Sequence, residues 1–209
     1  TGVDLSQSDL IRNFILMGQK ESEQTRLYET YWAKIEASFR GSERTFDNFV
    51  RDYLALLTKP KKVLRSDQVY FSFRERFRRV HENTEELEAL LADLRRMAMY
   101  YAAFAVASND DAIGNRLSRL RRLVDVPAIV VMRLFDCYDR LASLSHEDFC
   151  EAIDLLESYL LRRAVIGLQS RGYGFEFTKL AYAISDDEPL VHLQASMARL
   201  SESYAFPSD

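Results

Sequence analysis

The amino-acid sequence predicts an all-α fold, an irregular multi-helix bundle of about nine or ten helices. Apolar residues recur at helical spacing along nearly the whole chain, and no convincing segment alternates with the period of two of a half-buried strand. The 209 residues include only seven glycines and four prolines, which is too few for the turns of an all-β fold. We therefore expect one helical domain over 1–209, with any seam between sub-bundles near 59–67 or 109–111.

The first three helices are indicated by caps and apolar stripes. Ser6 and Asp9 have the spacing of a capping box, and Gly18 is placed to end the helix that they begin. The apolar stripes of the next two helices run near 22–39 and 45–57.

The middle of the chain contains one break and the longest helix. Pro60 disfavours helix immediately before it, and a short helix follows near 67–80. Asn83 and Glu86 have the spacing of an N-terminal cap for a helix that continues to about residue 108.

The second half contains five further helices. Residues 112–124 carry apolar side chains on one face and arginines away from it. Residues 126–135 are apolar almost all round, which is typical of a buried helix at the centre of a bundle. Ser145 is placed to cap a helix near 146–166. Two shorter helices complete the set, near 175–183 and 189–203.

Composition excludes several classes of protein. The net charge of −4 does not exclude nucleic-acid binding, because the local distribution of charge sets the field at a site. Cys137 and Cys150 are too few for a secreted disulfide framework, so we expect a cytoplasmic protein in which both are small buried hydrophobes. No apolar run approaches the roughly 18 residues that a membrane span needs, so we expect no membrane contact.

The largest local shift in charge lies between residues 59 and 79, where eight Lys and Arg residues stand against two carboxylates and aromatic residues are interleaved. Such a patch can neutralise phosphates. In the alternative interpretation, Tyr70, Phe73 and Phe77 form an ordinary buried face and the arginines are solvated. A second cluster follows at 116–122, and convergence of the two on one surface would favour DNA binding. The candidate nucleic-acid-binding residues are Lys59, Lys61, Lys62, Arg65, Arg74, Arg78, Arg79, Arg116, Arg119 and Arg122.

Two further polar groups are candidates for structural or docking roles. Arg162 and Arg163 interrupt an apolar helix, so at least one lies near the buried side and needs a carboxylate or a helix C-terminus as partner. We favour a structural role for these two arginines, in which they hold packed segments together. The alternative is that they bind DNA or another domain. Asp9, Arg12 and Asn13 share one helix face and either pair locally or dock a neighbouring domain.

The sequence predicts no catalytic residue, no metal site and no cofactor. His81-Glu82 lacks the second histidine of a zinc-protease helix. His146 and Cys150 have the spacing of two zinc ligands, but no second pair follows. Walker, dinucleotide-binding and nucleophile-elbow motifs are absent from the chain.

Four sequence blocks occur in order along the chain: TGVDLSQSDLIRN at 1–13, YFSF at 70–73, SYLLRRAV at 158–165 and SYAFPSD at 203–209. With these blocks the chain resembles the GmrSD-like modification-dependent restriction endonucleases over essentially its whole length. The first and third blocks are the most specific.

The resemblance implies that the chain is the helical middle of a longer defence nuclease, and the lack of an initiator Met fits that expectation. In this family a ParB/sulfiredoxin-like, nucleotide-dependent domain with a DGQQR-type motif precedes the region, and an HNH nuclease domain follows it. We therefore expect a non-catalytic module whose partners are its flanking domains, through residues such as Asp9, Arg12 and Asn13, and DNA. Exposed apolar patches are then expected near 1–12 and 203–209. The alternative is a protein-interaction scaffold without nucleic-acid contact.

Overall fold

The computed structural model of the chain describes residues 6–39, 43–59, 62–106 and 111–207. Within these ranges the chain forms ten helices and no strand, which confirms the predicted all-α class. The helices are α1, Gln7–Leu16; α2, Glu21–Leu27 continued by a π-helical turn at Tyr28–Trp32 and by Ala33–Ser38; α3, Glu43–Thr58; α4, Val69–Arg76; α5, Thr84–Ala105; α6, Ala112–Leu123; α7, Ala128–Phe135 continued by a π-helical turn at Asp136–Arg140; α8, His146–Val165; α9, Tyr173–Ala183; and α10, Pro189–Ala198.

Local capping determines where several helices begin and end. The Ser6 hydroxyl accepts the backbone N–H of Asp9 at 3.1 Å, and the Asp9 carboxylate accepts from Ser6 in return, so the predicted capping box is confirmed. The Ser145 hydroxyl likewise accepts the N–H of Asp148 at 3.0 Å at the start of α8. Gly18 follows α1 with a φ of +92°, a conformation that glycine adopts without strain.

Two predicted helices are shorter than expected. The helix predicted near 67–80 is regular only over α4, because the backbone leaves the helical region at Phe77. The Phe77 ring packs on Phe73, with centroids 4.8 Å apart, and the turn that follows buries Val80. The last helix ends at Ala198 rather than near 203, and a short 3-10 helix at Glu202–Tyr204 follows it.

The chain divides into two compact units, which are described separately. Unit 1 comprises residues 1–60 and 64–102, and unit 2 comprises residues 61–63 and 103–209. One division lies within the predicted seam at 59–67, and the other lies inside α5.

Each unit has its own apolar core. In unit 1, α1 packs on α3 and α4, and the rings of Phe39 and Phe49 stack with their centroids 5.2 Å apart. In unit 2, α6 packs on α8, and α9 packs on α7 and α10. Six of the eight residues in Ala128–Phe135 are buried, which confirms the predicted buried helix. None of the helices in the described ranges combines the length and apolar content that crossing a membrane requires.

Candidate nucleic-acid interface

In unit 1, α4 has one buried face and one charged face. Val69 and Phe73 are fully buried, and the rings of Phe14 and Phe73 are perpendicular, with their centroids 6.2 Å apart. Tyr70 and Phe77 are only half-buried. The aromatic residues of this segment therefore anchor α4, as the structural interpretation of the sequence predicted, but they do not all enter the core.

The opposite face of α4 exposes an aromatic side chain among arginines. Phe71 is 65% exposed to solvent, and Arg74 is exposed three residues later, so the two side chains share one helix face. The Phe71 ring touches the Tyr70 ring, with centroids 5.6 Å apart. In the sequence, Phe71 lies off the Tyr70–Phe73–Phe77 face that was predicted to be buried, but its exposure was not itself predicted.

The arginines of this segment differ in their partners. Arg74, Arg76 and Arg79 are exposed, and none of the three forms an ion pair within the described ranges. Arg78 approaches Glu75 at 3.2 Å, and Arg65 approaches Asp67 at 3.2 Å. Both of these pairs are largely exposed, and such surface pairs contribute little free energy.

The lysines that precede α4 add less to the candidate interface than its arginines do. Lys59 and Lys62 are exposed, and Lys62 belongs to unit 2. Lys61 is a predicted nucleic-acid-binding residue that lies outside the described residues.

Two open clefts lie beside α4 in unit 1. The first, which we call the α1–α4 cleft, has a volume of about 520 Å³. Its walls include Asn13, Phe14, Met17, Tyr70, Arg74 and His81. None of the described residues that line it is a carboxylate.

The second cleft, which we call the α4–α5 cleft, has a volume of about 450 Å³. Its walls include Tyr53, Arg76, Arg79, Glu86 and Asp93. The buried Tyr53 hydroxyl donates to Asp93 Oδ2 at 2.7 Å. Burial and the nearby Asp93 carboxylate raise the pKa of Tyr53 far above its usual value, so this phenol remains protonated.

The second arginine cluster, in unit 2, braces two helices. Arg116 Nε lies 2.9 Å from Asp154 Oδ2, and Arg119 Nε lies 2.9 Å from Glu157 Oε1. Both acidic residues are on α8, so these arginines join α6 to α8. Arg122 is exposed. Because the two basic clusters belong to different units, their convergence on one surface stays a prediction.

Arg163 is the most deeply placed cation of unit 2, at 2% exposure. Its Nε donates to the Tyr173 hydroxyl at 2.7 Å. Its two terminal nitrogens donate to the carbonyl oxygens of Ala205 at 3.0 Å and Ser203 at 2.8 Å. Of the two partners predicted for a buried arginine, the structure therefore uses carbonyls at the end of a short helix. Arg162 is exposed and lies over the Phe206 ring at 5.8 Å.

Tyr159, also on α8, makes a second contact with the segment that Arg163 binds. Its hydroxyl donates to the Tyr204 carbonyl at 2.8 Å, and burial raises the pKa of Tyr159 to about 12. Residues 203–206 are thus packed onto α8 and do not form the exposed apolar patch expected there. Residues 1–5 and 208–209 lie outside the described residues.

An exposed apolar patch occurs instead at the end of α8. Val165 is 77% exposed, and three further large apolar side chains nearby in sequence are also exposed. We call these residues the α8 patch; its members are Leu161, Val165, Ile166 and Leu168. The helical pattern of the sequence did not single them out.

The polar face of α1 is satisfied within unit 1. Arg12 donates to Asp9 Oδ1 at 2.7 Å and to Glu36 Oε1 at 3.0 Å, and Trp32 donates to the same Glu36 oxygen at 2.7 Å. The Ser6 hydroxyl, followed by Arg12, lowers the pKa of Asp9. Asn13 lies at the α1–α4 cleft. The local-pairing interpretation therefore holds for Asp9 and Arg12, and docking of another domain stays a prediction.

The sulfur and imidazole groups do not assemble into a metal site in the described ranges. His146 Nε2 and Cys150 Sγ are 3.8 Å apart, but no group of three His, Cys, Asp or Glu side chains there is placed to hold a metal ion. Cys137 and Cys150 are free and buried, as predicted. Burial raises the pKa of the Cys137 thiol.

The four sequence blocks that carry the family resemblance meet in pairs. In unit 1, the Tyr70 N–H of the second block donates to Gln7 Oε1 of the first at 3.0 Å. In unit 2, Arg163 of the third block binds the Ser203 carbonyl of the fourth. The chain matches no known protein family, no curated protein and no solved structure in sequence or fold comparisons.

Proposed function

We propose that this chain is a non-catalytic helical module of a GmrSD-like, modification-dependent restriction endonuclease. In this proposal it connects the nucleotide-dependent domain to the HNH nuclease domain, and α4 of unit 1 contributes to DNA binding. The observation that carries the DNA role is the set of Arg74, Arg76 and Arg79, which are exposed and form no ion pair within the described ranges.

Unpaired arginines are well suited to a phosphate backbone. The planar guanidinium donates two parallel hydrogen bonds to phosphate oxygens. An arginine already paired to a carboxylate must first give up that partner, as Arg116 and Arg119 would have to do with Asp154 and Glu157. Arg74, Arg76 and Arg79 bear no such cost, so unit 1 is the favoured DNA-binding surface.

The four blocks on which the resemblance rests pair in space. Blocks separated by about 60 and 40 residues contact each other through Gln7–Tyr70 and Arg163–Ser203. Because the paired blocks are in contact, each block is part of the structural surroundings of the other. In each unit the paired blocks join the first or last element to the core.

A second function, a protein-interaction scaffold, is favoured by the α8 patch. Leu161 and Val165 are exposed one helical turn apart, and contiguous exposed apolar surface is typical of sites that bind another protein. In this alternative, the arginines of α4 serve solubility and the α8 patch binds a partner domain.

Fluorescence anisotropy with a labelled 20-base-pair duplex tests the proposal. We compare the chain with a patch variant, R74E/R76E/R79E, at several salt concentrations. The logarithm of the binding constant falls with the logarithm of salt concentration by about 0.9 for each phosphate contact. We expect binding that weakens steeply with salt and is lost in the patch variant.

A control variant with the same change in net charge tests whether binding depends on the α4 arginines or on the total charge of the protein. The variant K20E/K34E/R44E makes the same change in net charge at exposed positions of unit 1 outside α4, and we expect it to retain most of the binding. Loss of binding in both variants, or no binding at low salt, would remove the DNA role and leave the scaffold function.

A further inference from the structure

We propose that unit 1 binds an unpaired nucleotide, with a base stacked on Phe71 and the adjoining phosphate bound by Arg74. This inference rests on the proposed nucleic-acid contact of α4 and specifies its ligand. The ligand class is a single-stranded or extrahelical segment of nucleic acid.

The first observation is the combination of side chains on the exposed face of α4. A single exposed aromatic residue is ordinary on a protein surface. Here, however, Phe71 is 65% exposed and shares its helix face with Arg74, which forms no ion pair within the described ranges. Proteins that bind single strands combine these two features, since aromatic rings stack on bases while cations contact the backbone.

The second observation is the continuity between this face and the α1–α4 cleft. The Tyr70 ring contacts the Phe71 ring, and Tyr70 and Arg74 both line the cleft. The volume of about 520 Å³ lies within the range of small-molecule sites, about 300–1,000 Å³. Asn13, also in the wall, carries an amide that can both donate to and accept from a base edge.

Charge distinguishes the two clefts beside α4. The described lining of the α1–α4 cleft has one cation and no carboxylate, which suits an anionic ligand. The described lining of the α4–α5 cleft has two cations, Arg76 and Arg79, and two carboxylates, Glu86 and Asp93, so it carries no excess of positive charge. The nucleotide is therefore assigned to the exposed face of α4 that carries Phe71 and Arg74, at the margin of the α1–α4 cleft, whose lining includes Arg74 but not Phe71.

An unpaired nucleotide uses these groups better than a duplex does. In a duplex the base faces are covered by their neighbours, so they are not available to an aromatic side chain. Arginines alone account for duplex binding, and the exposed Phe71 and the cleft would then have no role. An acidic peptide is the competing occupant, and it is an outcome of the test below.

The test compares a labelled 12-mer of deoxythymidine with a 12-base-pair duplex by fluorescence anisotropy. We expect the single strand to bind more tightly than the duplex. In the Phe71→Ala variant we expect single-strand affinity to fall about tenfold, the slope with salt to stay the same, and duplex affinity to change little. Arg74→Ala should instead reduce the single-strand salt slope by about 0.7.

The control is Met99→Ala, which removes an exposed apolar side chain of unit 1 on α5 and should leave both affinities unchanged. Tighter duplex binding that Phe71→Ala does not affect would overturn this inference while leaving the proposed function intact. Absence of binding to either oligonucleotide would overturn both. A decaglutamate peptide that binds with the same dependence on Phe71 would overturn the nucleic-acid assignment in favour of a protein partner.

Discussion

Arg163 on α8 donates a hydrogen bond from Nη2 to the carbonyl oxygen of Ser203 at 2.8 Å. The guanidinium also lies over the rings of Tyr159 and Tyr173, each 5.5 Å away. Burying a cation is costly unless hydrogen bonds and aromatic faces replace its hydration. Here they do, so one buried side chain attaches residues 203–205 to α8 and α9.

Arg163→Lys is expected to lower the free energy of unfolding by about 3 kcal/mol, because lysine keeps the charge but cannot make the three hydrogen bonds that the guanidinium group donates. Urea unfolding followed by circular dichroism measures the change. The control is Arg162→Lys at the exposed neighbouring position, for which we expect less than about 0.5 kcal/mol. Equal stabilities for the two variants would contradict the bracing role.

Gly172→Ala is expected to destabilise unit 2 more than Gly167→Ala does. Both glycines have a positive φ, +91° and +71°, so both substitutions carry a similar backbone strain of about 1–2 kcal/mol. At Gly172 the added Cβ would also collide with the Tyr204 hydroxyl, whereas nothing lies within 4 Å at Gly167. Thermal unfolding of the two variants isolates the collision, and equal melting temperatures would argue against it.

Tyr53→Phe is expected to change the alkaline stability of the chain. Burial raises the pKa of Tyr53 above its value in the unfolded chain. The contribution of Tyr53 to the free energy of unfolding is therefore fully present below about pH 10. Above that pH the contribution is lost by about 1.4 kcal/mol per pH unit. At pH 8 the variant should be about 1 kcal/mol less stable, since the hydrogen bond to Asp93 is lost.

Between pH 10 and 11.5 the Tyr53→Phe variant should lose stability less steeply than the parent. Urea unfolding across this range measures both slopes. The control variant is Phe46→Leu, a substitution at a buried ring of unit 1 that has no hydroxyl group, and its slope should follow that of the unsubstituted chain. Parallel curves for the parent and Tyr53→Phe would show that Tyr53 does not contribute.

His81→Phe is expected to raise the free energy of unfolding by about 1 kcal/mol. The Nδ1 atom of His81 is buried and has no hydrogen-bond partner among the described residues, so replacing it with carbon removes a desolvation cost. The contact between the ring and Phe14, 5.1 Å between centroids, would be retained. His146→Phe at an exposed position should give no gain in urea unfolding, and a loss in His81→Phe would mean that this nitrogen is satisfied in solution.

Several elements were predictable because their interactions connect residues close in sequence. The capping box of Ser6 and Asp9, the Ser145 cap and the turn at Gly18 each depend on atoms within three or four residues. The buried helix at Ala128–Phe135 was predictable because its residues are apolar with the single exception of Arg133. The all-α class follows from the same local patterns summed over the chain.

Partners that are distant in sequence were not predictable in this way. The sequence indicates that Arg162 or Arg163 needs a buried partner, but not which of the two is buried or that the Ser203 carbonyl supplies the partner. Similarly, Arg116 and Arg74 belong to equally basic stretches, yet only Arg116 is neutralised by a carboxylate of another helix, Asp154. The end of α4 at Arg76 also depends on the burial of Val80, which is a tertiary effect.

The sequence by itself determined the all-α class, the caps and the buried α7 segment, since helix formation depends on spacing and on contacts one turn apart. Only the tertiary structure decided which arginines are paired, that Phe71 faces solvent, and that the α1–α4 cleft lies beside it. The physical reason is that ion pairing and exposure depend on which helices pack together. Helical periodicity identifies the faces of a helix, but it does not identify what covers each face.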